Sequence, residues 1–154
     1  MASNPSAPRR QVSVSRVIHT TASAIFAIVD NPARHPDIDG SGTVRAARGP
    51  DQHLQLGDTF GMDMRLWVPY RIANTVVEYE LDRLLTWAHF GGHRWRYELE
   101  PVDGGTRVTE TFDWSCSRFP PLIELVGYPR RHPPHMEQTL QRLAELVEGA
   151  ENQG

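Results

Sequence analysis

Glu110 poses the sharpest chemical question in this chain. It stands in VTETF, where alternation puts Val108, Glu110 and Phe112 on one side of an extended strand. A lone carboxylate among apolar neighbours must find a partner or give up its charge. Arg16 sits likewise among Val12, Val14 and Ile18. His89 shares a strand face with Leu85 and Trp87, where an imidazole can act as acid or base near neutral pH or serve as an ordinary rim histidine. Asn74, on the Ile72 and Val76 side, can both donate and accept hydrogen bonds to a ligand.

Other chemistries find less to build on. His132 and His135 flank two prolines with no third ligand at a metal-like spacing, so they are expected as solvent-exposed histidines at a helix start, with no metal and no cofactor. There is no nucleophile elbow, phosphate-binding loop or dinucleotide fingerprint. Cys116, the single cysteine, has no adjacent base and excludes an intrachain disulfide, which suits a reducing, cytoplasmic setting. All 16 basic residues are arginine, spread along a chain of net charge −3, so nucleic acid is a poor partner. The opening MASNPSAPRRQ lacks the apolar segment of a signal peptide, and no run approaches the ~20 apolar residues of a spanning helix.

These groups must be positioned by the elements around them. The 154 residues suffice for one domain, expected over residues 11–149 between a disordered arm (1–10) and tail (150–154). QVSVSRVIH alternates as a strand, and Thr20 or Thr21 can cap a helix with Ala22, Ile25, Phe26 and Val29 on its apolar face. A second helical turn is expected over 33–37 and a strand over 43–48. Strand signals then follow in series from Thr59. Phe60, Met62, Met64 and Leu66 share a face; 70–80 is β-branched with less clean parity; 84–90 leads to a Gly91-Gly92 turn. Trp95, Tyr97 and Leu99 oppose Arg94, Arg96, Glu98 and Glu100, and VDGGT leads to the last strand. The proline-rich SRFPPLIELVGYPRRHPP is expected to be irregular, with one helical turn at 122–126, and to act as a lid or a strap. From Pro134 to Gly149, Met136, Leu140, Leu143 and Val147 make one apolar helical stripe.

The simplest packing curls the antiparallel sheet around that last helix. This order resembles the helix-grip fold, and the sequence is similar to the START-like (SRPBCC) superfamily of polyketide cyclases, dehydrases and lipid-transfer proteins. The residues that carry the resemblance are VSVSRVIHTTASAIFAIVDNPARHP, LGDTF, VVEYELDRLLTW and HRWRYELEPVDGGTRVTETFDW, within a match covering nearly the whole chain. It implies an α+β fold of about six to seven strands wrapped around a long C-terminal helix, with two short helices after the first strand. It also implies a cavity for a hydrophobic or amphipathic molecule. Because the first strand pairs with the last in such folds, Arg16 and Glu110 are expected as an internal ion pair, most simply structural. Aromatase/cyclase relatives orient a polyketide with pocket aromatics and an arginine. Trp67 and Arg71 are the nearest equivalents here, but Pro69 between them disturbs the register and no motif fixes the alignment.

The residues themselves support a cavity. Met62, Met64, Trp87, His89, Trp95, Tyr97, Phe112, Trp114 and Met136 are adaptable or amphipathic, where a solid core favours Leu, Ile and Val. With Asn74, Glu110 and Leu140 they form the expected ligand-contacting set. The first functional reading is binding or transport of a small hydrophobic molecule by a monomer or weak dimer with no integral membrane association. The second is an enzyme in which Glu110, His89 or Arg71 promotes enolisation, ring closure or loss of water. The third is an interaction module with an exposed apolar patch near the proline-rich segment.

Overall fold

The computed structural model describes residues 10–41, 44–48, 53–65, 69–89, 91–125 and 127–151. Among the described residues, seven antiparallel strands form one sheet: β1 (Gln11–Ile18), β2 (Val44–Arg48), β3 (Thr59–Arg65), β4 (Pro69–Glu80), β5 (Leu84–His89), β6 (Arg94–Val102) and β7 (Gly105–Asp113). Their spatial order is β1-β7-β6-β5-β4-β3-β2, so every neighbouring pair from β2 to β7 is consecutive in the chain, and β1 closes on the last strand. Between β1 and β2 lie α1 (Ala22–Val29), a single 3-10 turn (Pro32–Arg34) and α2 (His35–Ile38); α3 (Pro120–Leu125) and α4 (Tyr128–Glu151) follow β7. This is the expected α+β helix-grip architecture. No helix among the described residues is long and apolar enough to cross a membrane.

Local chemistry accounts for these elements. Thr21 caps α1 by accepting the Ala24 N–H at 3.2 Å, and Ile25, Phe26 and Val29 are buried beneath it. Thr21→Ala should therefore cost about 1 kcal/mol, read from a urea midpoint; an unchanged midpoint would deny the cap any role. Gly104, at φ 83°, turns β6 into β7 and sets Val102 opposite Gly105. The imperfect parity over 70–80 has a structural cause, a register shift between Val76 and Glu78 where β4 pairs with β5.

The helix α4 departs from expectation. It begins at Tyr128 rather than Pro134 and reaches Glu151, so Pro133 and Pro134 lie inside it and residues 150–151 are helical rather than tail. Both prolines fall within the second turn, where each removes one hydrogen bond to the carbonyl four residues back and its ring crowds that carbonyl, so the long apolar stripe that follows must hold this end of the helix in place. The stripe Met136, Leu140, Leu143 and Val147 is buried as expected, each side chain worth roughly 2 kcal/mol against the sheet. The expected arm over residues 1–10 lies outside the described residues except for Arg10, as do residues 152–154.

The close approach of α2 to α4 rests on Gly40. A methyl group there would lie 2.1 Å from the His135 carbonyl oxygen and 2.7 Å from the Thr139 nitrogen. Across that contact the Gly40 N–H donates to Thr139 Oγ1 at 2.8 Å, His135 Nδ1 donates to the Gly40 carbonyl at 3.3 Å, and Arg142 donates to the Asp39 carbonyl.

Candidate functional site

The strand registers assemble the concave face in rows. One row runs Val12, Phe112, Trp95, Trp87 and Val76; the next runs Val14, Glu110, Tyr97 and Leu85; a third sets His89 and Phe60 on either side of Asn74. Side chains directly opposite across strands share a face, so these registers fix which groups meet. The opposite face is polar, with Ser13 hydrogen-bonded to Thr111, Ser15 to Thr109 and Arg96 to Glu78.

At the centre of the concave face the Tyr97 hydroxyl donates to Glu110 Oε1 at 3.0 Å, and both side chains are buried. Glu110 Oε2 is buried with no hydrogen-bond partner among the described residues. Burial pushes the Glu110 carboxyl up to about 8, a rise that the Tyr97 bond opposes and the charge of Asp39 reinforces. The folded protein therefore favours the protonated form of Glu110. The Tyr97 phenol is driven well above its ordinary value, first by burial and then by Glu110. Asn74 Oδ1 is a second buried oxygen with no hydrogen-bond partner among the described residues.

Aromatic rings surround these polar groups. Trp87 lies 5.6 Å from both Tyr97 and Phe60 and stacks on His35 at 5.2 Å. His35 is buried and donates from Nε2 to the Val29 carbonyl at 2.7 Å; burial holds its pKa below the usual range. Toward α3 a second cluster gathers Phe112, Trp114, Ile123 and Met136, with Trp95 packed against it. His132 meets Phe112 at 4.5 Å and Trp95 at 5.1 Å, and His93 stacks on His89 at 4.4 Å. The Gly91 N–H donates to His89 Nδ1 at 3.4 Å, which leaves the neutral ring's proton on Nε2.

Burial lowers the pKa of His89, His93 and His132 as well; the rings of His89 and His132 add to the effect on His93, and that of His135 to the effect on His132, so that His93 and His132 are each pushed down to about 4. A depressed folded-state value makes these rings stabilising when neutral. For His93 and His132 that contribution is complete above about pH 6.5 and is lost as pH falls toward 4, about 2 kcal/mol for each of the two after allowance for solvent screening. His132→Phe should shallow this acid limb in urea titrations between those limits, and an unaltered limb would show that His132 does not carry it.

The expected site residues thus divide. Met62, Asn74, Trp87, Tyr97, Glu110 and Leu140 meet in the interior, while His89, Trp95, Phe112, Trp114 and Met136 line the end nearest α3. The side chains of Met64 and Arg71, and Trp67 entirely, lie outside the described residues. The Arg16–Glu110 ion pair is not formed. The β1–β7 register sets Val14 opposite Glu110 and Arg16 opposite Val108; Arg16 is exposed, and Tyr97 takes the place assigned to it. His132 is likewise corrected, from a solvent-facing residue at a helix start to a half-buried ring inside α4. His35 and His93 were not singled out by sequence. Both sit beside proline or glycine turns, and only the tertiary packing reveals their ring contacts.

Two depressions lined by described residues lie at the margins. One of about 490 Å³ is bordered by His19–Ala22 and the β6–β7 turn; one of about 410 Å³ runs between β1 and α4 past Arg16 and Glu137. Neither has Glu110 or Tyr97 in its wall. No group of three metal-ligating side chains occurs among the described residues.

Comparison with known proteins agrees with this architecture. Residues 9–148 match the family model described as polyketide cyclase / dehydrase and lipid transport. An uncharacterized protein of Mycobacterium tuberculosis, Rv0088, is 38% identical over 140 residues, covering 86% of this chain; the chain spans only 62% of that relative's length. Among solved structures, protein NE0264 from Nitrosomonas europaea superposes with a TM-score of 0.73 at 14% identity, over 95% of this chain and 99% of that one. An AHSA1-like protein from Aeromonas hydrophila superposes with a TM-score of 0.63 at 20% identity, over 92% and 94%. With a helix-grip sheet closed on α4 and a family match along nearly its whole length, this chain belongs to the polyketide cyclase / dehydrase and lipid transport family.

Proposed function

We propose that the chain binds and carries a small amphipathic molecule between the sheet and α4, with its polar end at Glu110 and its apolar body among the aromatic and methionine side chains. The carrying observation is the orphaned Glu110 Oε2 beside the Tyr97 hydroxyl. A neutral carboxyl in an apolar setting is a strong hydrogen-bond donor without a charge to solvate, so it favours a ligand carbonyl or hydroxyl. Asn74 Oδ1 complements it by accepting from an O–H or N–H. Such a ligand displaces packed rings rather than filling an open hole, which suits Met62 and Met136 as yielding neighbours. The single cysteine fits a reducing, cytoplasmic setting.

A second reading shares this site. A carboxyl held protonated near neutral pH can polarise a substrate carbonyl and assist enolisation or loss of water, and Glu110 is the group placed to do so.

Native mass spectrometry of the freshly purified chain, beside its denatured mass, tests the carrier reading. A retained small molecule, depleted in Glu110→Gln, is the expected result. An empty protein that also binds neither a fluorescent fatty acid nor a flavonoid overturns it.

A further inference from the structure

We propose that α3 and its flanks form a docking surface for an anionic lipid bilayer. Phe119, Leu122 and Leu125 are 69%, 57% and 82% exposed and recur every third residue, while Ile123 alone turns inward, against Phe112, Trp114 and Met136. Single exposed leucines are ordinary; three large apolar side chains along one short helix and its entry form a patch that water disfavours. Gly127, at φ 79°, stands in the turn between α3 and α4, directly after the patch.

The charges around the patch select its occupant. Residues 117–131 carry Arg118, Arg130 and Arg131 against Glu124 alone, and Glu124 is engaged by Arg10 Nε at 3.1 Å and Trp114 Nε1 at 3.0 Å. Leaving Arg118 aside and counting Arg10, three guanidinium groups accompany one carboxylate, a charge of 3 − 1 = +2 for this part of a chain of net charge −3. Arg130 and Arg131 are exposed. Apolar side chains rimmed by arginines match the boundary between acyl chains and phosphate headgroups, where leucines and a phenyl ring enter and guanidinium groups meet phosphate oxygens. The surface stands on its own composition and does not depend on what the interior binds. Through Ile123 it does adjoin the end of the concave face where Trp95 and His132 meet.

Co-sedimentation of the full chain with vesicles of phosphatidylcholine, alone or with about one third phosphatidylglycerol, tests this. Binding should be at least ~10-fold tighter to the anionic vesicles and should fall away at high salt. Leu122→Ser with Leu125→Ser should weaken it at least ~10-fold, and Arg130→Gln with Arg131→Gln severalfold, both at unchanged melting temperature because all four side chains are exposed. Equal binding to both vesicle types at low salt, no binding to either, or full binding by the leucine double variant overturns the proposal. Concentration-dependent self-association that the leucine variant abolishes, without vesicle binding, also overturns it and makes a second copy the occupant.

Discussion

Glu110→Gln is expected to stabilise the protein at alkaline pH and to leave it nearly unchanged in acid. Burial holds the wild-type carboxyl at about 8 when folded, against an ordinary 4.5. A raised folded-state value means that the fold prefers the protonated acid. Glu110's contribution is therefore fully present below pH 4.5 and lost as pH rises through about 8. The amide never ionises, so above pH 8 it should be the more stable by about 4 kcal/mol, with its oxygen still able to accept from Tyr97. The histidine limb slopes the other way below pH 6.5, so the wild type should peak between the two and the variant should rise to a plateau. Urea unfolding at pH 5, 7 and 8.5 checks this, and parallel profiles would mean that Glu110 is ionised in the folded protein.

Gly40→Ala should be among the most damaging conservative changes available, at about 3 kcal/mol or more. The added methyl would strike backbone atoms of α4 at 2.1 and 2.7 Å, and backbone cannot turn aside as a side chain does. Relief requires α2 and α4 to part, which breaks the hydrogen bonds that cross the contact. Gly57→Ala is the control. Gly57 has φ 87° but nothing within 4 Å of the added carbon, so it should cost only about 1 kcal/mol of backbone strain. Equal midpoint shifts for the two variants in denaturant would refute the steric argument.

The strands were legible because their alternation is strict where one face is dry. The parity of β6 and β7 alone predicts that Trp95, Tyr97, Glu110 and Phe112 face inward, and they do. The partner of Glu110 was also within reach. A two-residue turn at Asp103-Gly104 sets Val102 opposite Gly105, and counting back along the hairpin lands on Tyr97 opposite Glu110. Arg16 falls opposite Val108 because no local turn links β1 to β7; their register is fixed by packing across most of the chain, which sequence parity does not encode. The start of α4 was hidden for a related reason. Pro133-Pro134 reads as a beginning, yet the turn before it is also helical, and that placement brings His132 against Trp95 and Phe112.

The attachments of α4 also set where the molecule can breathe. Besides the bonds to Asp39 and Gly40, its Glu148 accepts the His19 N–H at 3.1 Å, so the helix is tied to the first forty residues near its middle and again near its end. By contrast α3 has Ile123 as its only buried side chain and two exposed leucines. Amide hydrogen exchange should divide accordingly, with the centre of α4 exchanging only through opening of the whole chain and α3 through cheap local fraying. Opening motions of the fold are thus expected to begin at α3, with α4 the element that stays in place.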